Sequence, residues 1–379
     1  MKYYVSLPQV TILTMFPLVA ETIYSPALPQ IACAFSVTAE QAGQTISLYF
    51  IAFALGLVFW GRLCDHIGRR PTMLIGLATY GAASVSALVS PHFAILLGAR
   101  LIAAFGAAVG SVCTQTMMRD TYTGADLAKC FSMMGIAIAL SPAIGMACGA
   151  TLVSWFGYRG VFAALAFLAV VLFFWAAARL PETKPLHVIK APLGETLLMM
   201  LRDVAIWRTA VLVALFNLAV FGYYQLAPFE FERLGLSSAM FGISSVAIAF
   251  GVMLGSLLSR HLLQAGWTPE GLILLASVLA VMGGILVFIM ASSWIFVLPV
   301  AVVMLAYGLA IPNILAIALS DYGDRTGTAG ALLGLLYYLM LGGGLVCAAW
   351  SQNVELVLLS CGFAALTLAL ACYRQSRSS

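Results

Sequence analysis

Polar residues along this chain are mostly interruptions. Apolar runs of roughly twenty residues follow one another, and short breaks between them hold most of the charge. At 1.5 Å per residue a helix of that length crosses a ~30 Å hydrocarbon core. Twelve such runs fit the chain. They cover residues 8–28, a second run through Tyr49 to Trp60, 72–90, 93–117, 127–153 and a sixth ending near Leu180. The second half holds 207–228, 240–262, 271–290, 294–317, 328–350 and 354–373. A backbone in lipid must satisfy its own polar groups, so each run is expected to be an α-helix. The pattern therefore predicts an all-α polytopic membrane protein with twelve transmembrane helices. A secretory signal peptide fits the first run poorly, because only Lys2 precedes it, Glu21 interrupts it and more spans follow at once.

Charge orients the runs. The break Gly61-Arg62-Leu63-Cys64-Asp65-His66-Ile67-Gly68-Arg69-Arg70-Pro71 is expected to be a cytoplasmic loop, since inward-facing loops collect Lys and Arg. Every other Lys and Arg except Arg100, Arg159 and Arg233 then also falls on the cytoplasmic side, with both termini inside. Residues 29–41 and 155–159 become outer loops. The longest polar segment, 181–206, reads as a cytoplasmic linker between an N-terminal six-helix bundle, 1–180, and a C-terminal one, 207–379.

The halves echo each other at an offset of about 200 residues. Met15-Phe16-Pro17-Leu18 resembles Leu215-Phe216-Asn217-Leu218, Tyr24 falls opposite Tyr224, Phe105-Gly106 opposite Tyr307-Gly308, and Asp120 opposite Asp321. Two parallel six-helix repeats with a site between them at mid-membrane are what an alternating-access carrier needs.

Composition narrows the function further. Hydrophobic residues make up 63% of the 379 residues and charged ones 8%, against a usual charged share of ~25%. Twelve spans use ~240 positions, which leaves no room for a separate soluble domain. The eight cysteines are scattered and lie mostly in apolar runs, as small packing residues do. No Ser/His/Asp set, metal-ligand spacing or phosphate loop is present, so neither an enzyme nor a cofactor or metal protein is expected. The net charge of +4 reports topology and points to no nucleic acid.

The spacing Gly-x-Leu-x-Asp-x-x-Gly-Arg-Arg over Gly61, Asp65, Gly68, Arg69 and Arg70 resembles the signature between helices 2 and 3 of the major facilitator superfamily. Within that superfamily the chain is similar to the bicyclomycin/chloramphenicol-resistance branch of drug–proton antiporters. The residues that carry this are Tyr24-Ser25-Pro26-Ala27-Leu28-Pro29, Arg119-Asp120, Ser141-Pro142-Ala143-Ile144-Gly145 and Pro181-Glu182-Thr183. The branch usually places Asp two residues before the Tyr of the first motif. Here that position is Thr22 and the acid is Glu21. Its Arg-x-x-Gln-Gly becomes Arg100-Leu101-Ile102-Ala103-Ala104. The resemblance implies a gating role for the signature residues, with Arg69 paired to Asp120, and a site in a bacterial inner membrane.

An intramembrane charge is costly and is kept in a pair or on a wet cavity. Glu21 lies ~18 Å from the cytoplasmic end of its span and Arg100 ~10 Å from the outer end of its own, at nearly one depth. Two readings stay open: Glu21 as proton carrier with Arg100 as modulator, or a fixed ion pair between the first and fourth spans. Tyr24, Asn217, Phe221, Tyr224 and Tyr337 are candidates for a substrate cavity that combines hydrogen bonds with aromatic surface. Pro142 removes one helical hydrogen bond and bends its span. Ser141, Gly145 and Gly149, four residues apart, let another backbone approach. The expected function is efflux of a small amphipathic, drug-like compound, driven by the proton gradient, by a monomer in a lipid bilayer. The alternatives are an exporter dedicated to one endogenous metabolite or siderophore, an uptake symporter, and, least well supported, a membrane receptor or enzyme.

Overall fold

The computed structural model describes residues 5–185, 193–319, 322 and 326–376. Its helices are α1 (Leu7–Thr22), α2 (Leu28–Ala34), α3 (Ala39–Ile67), α4 (Arg69–Leu88), α5 (Phe93–Thr121), α6 (Gly124–Arg179) and α7 (Leu193–Arg202). The second half continues with α8 (Val204–Arg233), α9 (Ser238–Gln264), α10 (Pro269–Met290), α11 (Val297–Ile317), α12 (Thr326–Ser351) and α13 (Val354–Ser376).

Among the described residues eleven stretches are long and apolar enough to cross a membrane. One of them, Leu140–Arg179, has 40 residues, or about 60 Å of helix, twice what a bilayer needs. Gly157, with φ 66° and ψ −174°, breaks it. It holds two spans, which makes twelve.

Three expected loops turn out to be helix broken over very few residues. The first span does not end at residue 28: a single 3₁₀ turn, Ser25–Ala27, joins α1 to α2. Pro26 and Pro29 lack the N–H groups a continuous α-helix would use there, and α2 then fills much of the expected outer loop. The loop of residues 155–159 contracts to Gly157 within α6. The charged stretch from Gly61 to Pro71 is almost wholly helical, with only Gly68 between α3 and α4. Glycine suits that position because its φ is 106°, a conformation other residues reach at a cost.

Helix starts use local caps. Thr38 Oγ1 accepts from Gln41 N at 3.1 Å while Gln41 Oε1 accepts from Thr38 N at 3.0 Å, a reciprocal pair that satisfies two otherwise free donors. Ser237 and Thr268 cap α9 and α10 in the simpler one-bond form.

The chain divides into two compact units, Met1–Lys190 and Ala191–Ser379, with six spans each. In the N-terminal unit α3 packs on α5 with Gly56 against the backbone of Phe105, and Trp60 Nε1 donates to Phe105 O at 2.6 Å. In the C-terminal unit α9 packs on α11 with Gly255 against the backbone of Leu305, and Ser256 Oγ donates to Gly308 O at 3.3 Å. The two seams lie about 200 residues apart, so the repeat extends to backbone packing. Large apolar side chains such as Phe59, Phe167, Phe174, Ile243 and Phe288 point outward, as lipid-facing positions of a span do.

Candidate functional site

The N-terminal unit buries one concentrated polar cluster. Glu21 stands in the last turn of α1 and Tyr24 just beyond it. Tyr49 comes from α3, Tyr80 from α4 and Arg100 from α5. Glu21 is 7% exposed and Arg100 2%. The Arg100 guanidinium carbon lies 4.1 Å from the centre of the Tyr24 ring and 4.5 Å from that of Tyr49, within cation–π range on both sides. Phe16 meets Tyr80 edge-on at 4.8 Å and closes the apolar wall.

Among the described residues Arg100 and Glu21 form no direct ion pair. Glu21 Oε1, Arg100 Nε and Nη2, and the hydroxyls of Tyr24, Tyr49 and Tyr80 are all buried without a protein hydrogen-bond partner. Each such atom costs about 1–3 kcal/mol if nothing satisfies it, and native interiors hold few of them. Arg100 is thus held by rings and not by the carboxylate, and Glu21 is left with acceptor capacity unused by the protein.

The shift of the acid from position 22 to 21 has a packing reason. Gly145 and Gly149 of α6 press against the Val19–Ile23 backbone, and a Cβ on Gly145 would overlap Thr22 Oγ1. Thr22 returns its hydroxyl to Leu18 O at 2.9 Å. Position 22 therefore faces a crowded helix contact, whereas a step of ~100° turns Glu21 away from it. Of the series Ser141, Gly145 and Gly149, the two glycines make the expected close approach to another backbone. Pro142 lies inside α6 beside Ser141, whose Oγ donates to Ala137 O at 2.6 Å.

The signature residues form a second cluster at one end of the same unit. Arg69, 2% exposed, donates from Nε to Asp120 Oδ2 at 2.7 Å, from Nη2 to Asp120 Oδ1 at 3.4 Å and from Nη1 to Cys64 O at 3.0 Å. Asp65 lies 3.4 Å from Nη1, and Thr183 Oγ1 donates to Asp120 Oδ2 at 3.2 Å. The Arg69–Asp120 pair thus ties α4 to α5. Gly61 faces Val112 of α5, 3.4 Å from where a Cβ would stand. Arg70 reaches Ala177 O.

Glu182 completes this cluster, a part that sequence reasoning did not assign to it. Its carboxylate accepts from Arg69 N at 2.9 Å and Arg70 N at 3.1 Å, capping α4 from the far side of α6. A Cβ on Gly68 would lie 2.6 Å from Glu182 Oε2, so the glycine is required twice over. The signal was available: a helix whose N-cap is glycine has no side-chain acceptor of its own, and its dipole favours an acid nearby.

The C-terminal candidates are spread out. Phe221 and Tyr224 meet at 5.6 Å. Asn217 donates to Val213 O at 2.8 Å and accepts from Tyr307 at 3.4 Å, while the ring of half-buried Tyr337 lies tilted against that of Tyr338, 4.4 Å between centroids. Tyr24 belongs with Arg100. Two further acids are buried: Glu230 near the end of α8 and Glu355 at the start of α13 are each 8% exposed, and Glu230 pairs with Arg233. Both lie near span ends, where loop assignment from sequence is least certain. His187, Lys190 and Asp321 lie outside the described residues. Among the described residues no group of His, Cys, Asp and Glu could hold a metal ion.

A helical membrane protein of two six-span units, with a charged cluster inside one of them, is built as a transporter. The sequence profile of the Major Facilitator Superfamily matches residues 10–346, and the chain belongs to that family. It is 30% identical to an uncharacterized transporter of Rickettsia bellii over 90% of this chain and 89% of the relative. It is 25% identical to multidrug resistance protein D of Escherichia coli K12, over 83% of this chain and 81% of that protein. A chloramphenicol resistance protein of Pseudomonas aeruginosa is 30% identical over 63% of this chain and 59% of its own length. The crystal structure of a bacterial homolog of the human lysosomal transporter Spinster superposes with a TM-score of 0.75 at 15% identity, covering 97% of this chain and 95% of the other. That likeness concerns the fold.

Proposed function

We propose that this transporter exports a small amphipathic, drug-like compound across the bacterial inner membrane by alternating access, in exchange for protons. The observation that carries the reading is the cluster of Glu21, Arg100 and three tyrosine hydroxyls buried in the N-terminal unit without protein hydrogen-bond partners. A carboxylate held off its nearby cation can take up and give up a proton without breaking a salt bridge. Arg100, clamped between two rings, keeps a fixed positive charge in the same cluster. The hydroxyls offer hydrogen bonds to water or to a substrate's polar group, while the rings suit an apolar body. The printed names of two relatives, a multidrug and a chloramphenicol resistance protein, support a drug-like substrate. Export of one endogenous metabolite or siderophore is the alternative, because the relatives also include transporters of unstated substrate. Uptake by proton symport on the same fold is a third reading.

The test is Glu21→Gln in proteoliposomes. It keeps the side chain's shape and removes its titration, so transport driven by a pH gradient should stop while the purified protein stays folded. Undiminished gradient-driven transport would refute Glu21 as the proton carrier and leave it a structural neighbour of Arg100. Susceptibility of cells lacking the protein, measured against a broad compound panel, separates a drug exporter from a dedicated one.

A further inference from the structure

The linker carries a helix that the transport reading does not use. α7 buries Thr196 and Met200, and Met200 with Leu197 packs into an apolar cluster with Ile206, Ala329 and Leu332. It is held at its end. Asp203 N donates to Met200 O at 3.2 Å, Trp207 Nε1 donates to Leu201 O at 2.9 Å, and Tyr322 donates to Asp203 Oδ2 at 3.0 Å. The helix is therefore docked on α8 and α12 of its own unit.

Its apolar side is wider than that contact. At ~100° per residue, Met200, Leu197, Leu201 and Leu198 follow one another around one side. Leu198 is nevertheless 52% exposed and Leu201 41%. Arg202 and Glu195 come next around the helix, both exposed. Val204, 60% exposed, and Trp207, whose Nε1 meets Leu201 O, follow at the start of α8, a helix long and apolar enough to cross a bilayer. A Trp at a span end marks the membrane–water boundary.

We infer that α7 lies in the plane of the bilayer surface, with Leu198 and Leu201 dipping into the hydrocarbon edge of the adjoining leaflet and Arg202 and Glu195 among the headgroups. The partner is a phospholipid leaflet, and the charge of Arg202 suits an anionic phosphate. This inference rests on the membrane-spanning fold and not on proton coupling or drug export. The linker helix on this account is fastened to the membrane and to the C-terminal unit.

The experiment uses the full chain, free of its native cysteines, in nanodiscs of phosphatidylethanolamine and phosphatidylglycerol. Nitroxide labels are placed through Leu198→Cys, Leu201→Cys, Glu195→Cys and Arg202→Cys. The ratio of oxygen to nickel-chelate accessibility should be at least about threefold higher at 198 and 201 than at 195 and 202. Water-like ratios at all four positions, or labels at 198 and 201 shielded from both reagents, would overturn it. In the unaltered chain, a photoactivated reagent confined to the bilayer should mark Leu198 and Leu201 but not Glu195. Absence of that labelling refutes the inference without any substitution.

Discussion

The two units repeat each other's backbone but not each other's polar interior. Offset by about 200 residues, Gly56 on Phe105 corresponds to Gly255 on Leu305, and Tyr24 corresponds to Tyr224. The same offset carries Glu21 to Phe221 and Arg100 to Val300, both apolar and buried. The C-terminal unit has polar groups of its own, but several are matched locally. Tyr223 meets Ser244 at 2.8 Å, and Asn313 donates to Ser259 Oγ and Leu309 O, each at 2.7 Å. One unit therefore holds charge whose hydrogen-bonding capacity is unspent, and the other spends much of its capacity on its own helices. A scaffold contact can be duplicated, whereas an uncompensated buried charge is tolerated where it has work to do.

The sharpest way to break this comparison is at Arg100. Arg100→Gln removes the cation between the Tyr24 and Tyr49 rings, a contact worth about 2 kcal/mol when desolvated. Coupled transport should fall more than about tenfold, the effect of losing an intramembrane functional charge, and thermal stability should drop. Combining it with Glu21→Gln should cost less than the two losses added, because neighbours in one cluster are coupled. Strict additivity in unfolding measurements would show that the two side chains act independently.

Packing changes should not distinguish the units. Gly145→Val forces side-chain atoms into α1, and Gly255→Val forces them into α11. Each should destabilise by about 1–3 kcal/mol through overpacking, read as a lower unfolding temperature. A tolerated valine at either position would mean that the seam can open.

Hydrogen bonds in the C-terminal unit rank next. Tyr223→Phe leaves Ser244 with its bond to Phe241 O at 2.6 Å, so the loss should be about 0.5–1.5 kcal/mol. Transport should stay within about twofold, since the hydroxyl is matched inside its own unit. A Tyr223→Phe protein as inactive as Glu21→Gln would place chemistry in both units and end the asymmetry.

The sequence made some of this legible and hid the rest. The apolar runs and the distribution of Lys and Arg sufficed for the spans, because the bilayer imposes a length and a charge rule that local sequence must obey. Glu21 and Arg100 stood out as charges in apolar runs, and the four-residue spacing of Ser141, Gly145 and Gly149 marked a close helix contact. What could not be read was orientation around a helix axis. The alternative of a Glu21–Arg100 ion pair depended on it. Loop length was overestimated at Gly68 and Gly157, because one glycine with positive φ does what several polar residues seemed needed to do. The glycine-capped start of α4 called for an acid but not for which one, because Glu182 lies more than a hundred positions from Arg69 and Arg70.

That last contact supports the finest comparison between the units. The break before α10 is capped locally: Thr268 Oγ1 accepts from Gly271 N at 3.2 Å. The matching break before α4 has glycine at its cap, and Glu182 supplies the acceptor from beyond α6. A local cap holds only its own helix. A remote cap also records whether α6 is in place beside α4, so the two should respond differently when α6 is disturbed. Glu182 is exposed, so solvent screens it, and the charge lost in Glu182→Gln should cost only about 0.5 kcal/mol. The expected result is about twofold faster hydrogen exchange at the amides of Arg69 and Arg70, with that of Gly271 unchanged. Thr268→Ala should do the reverse. Equal exchange at Arg69 and Arg70 in both proteins would show that the remote carboxylate adds nothing to the helix start and that Gly68 alone sets it.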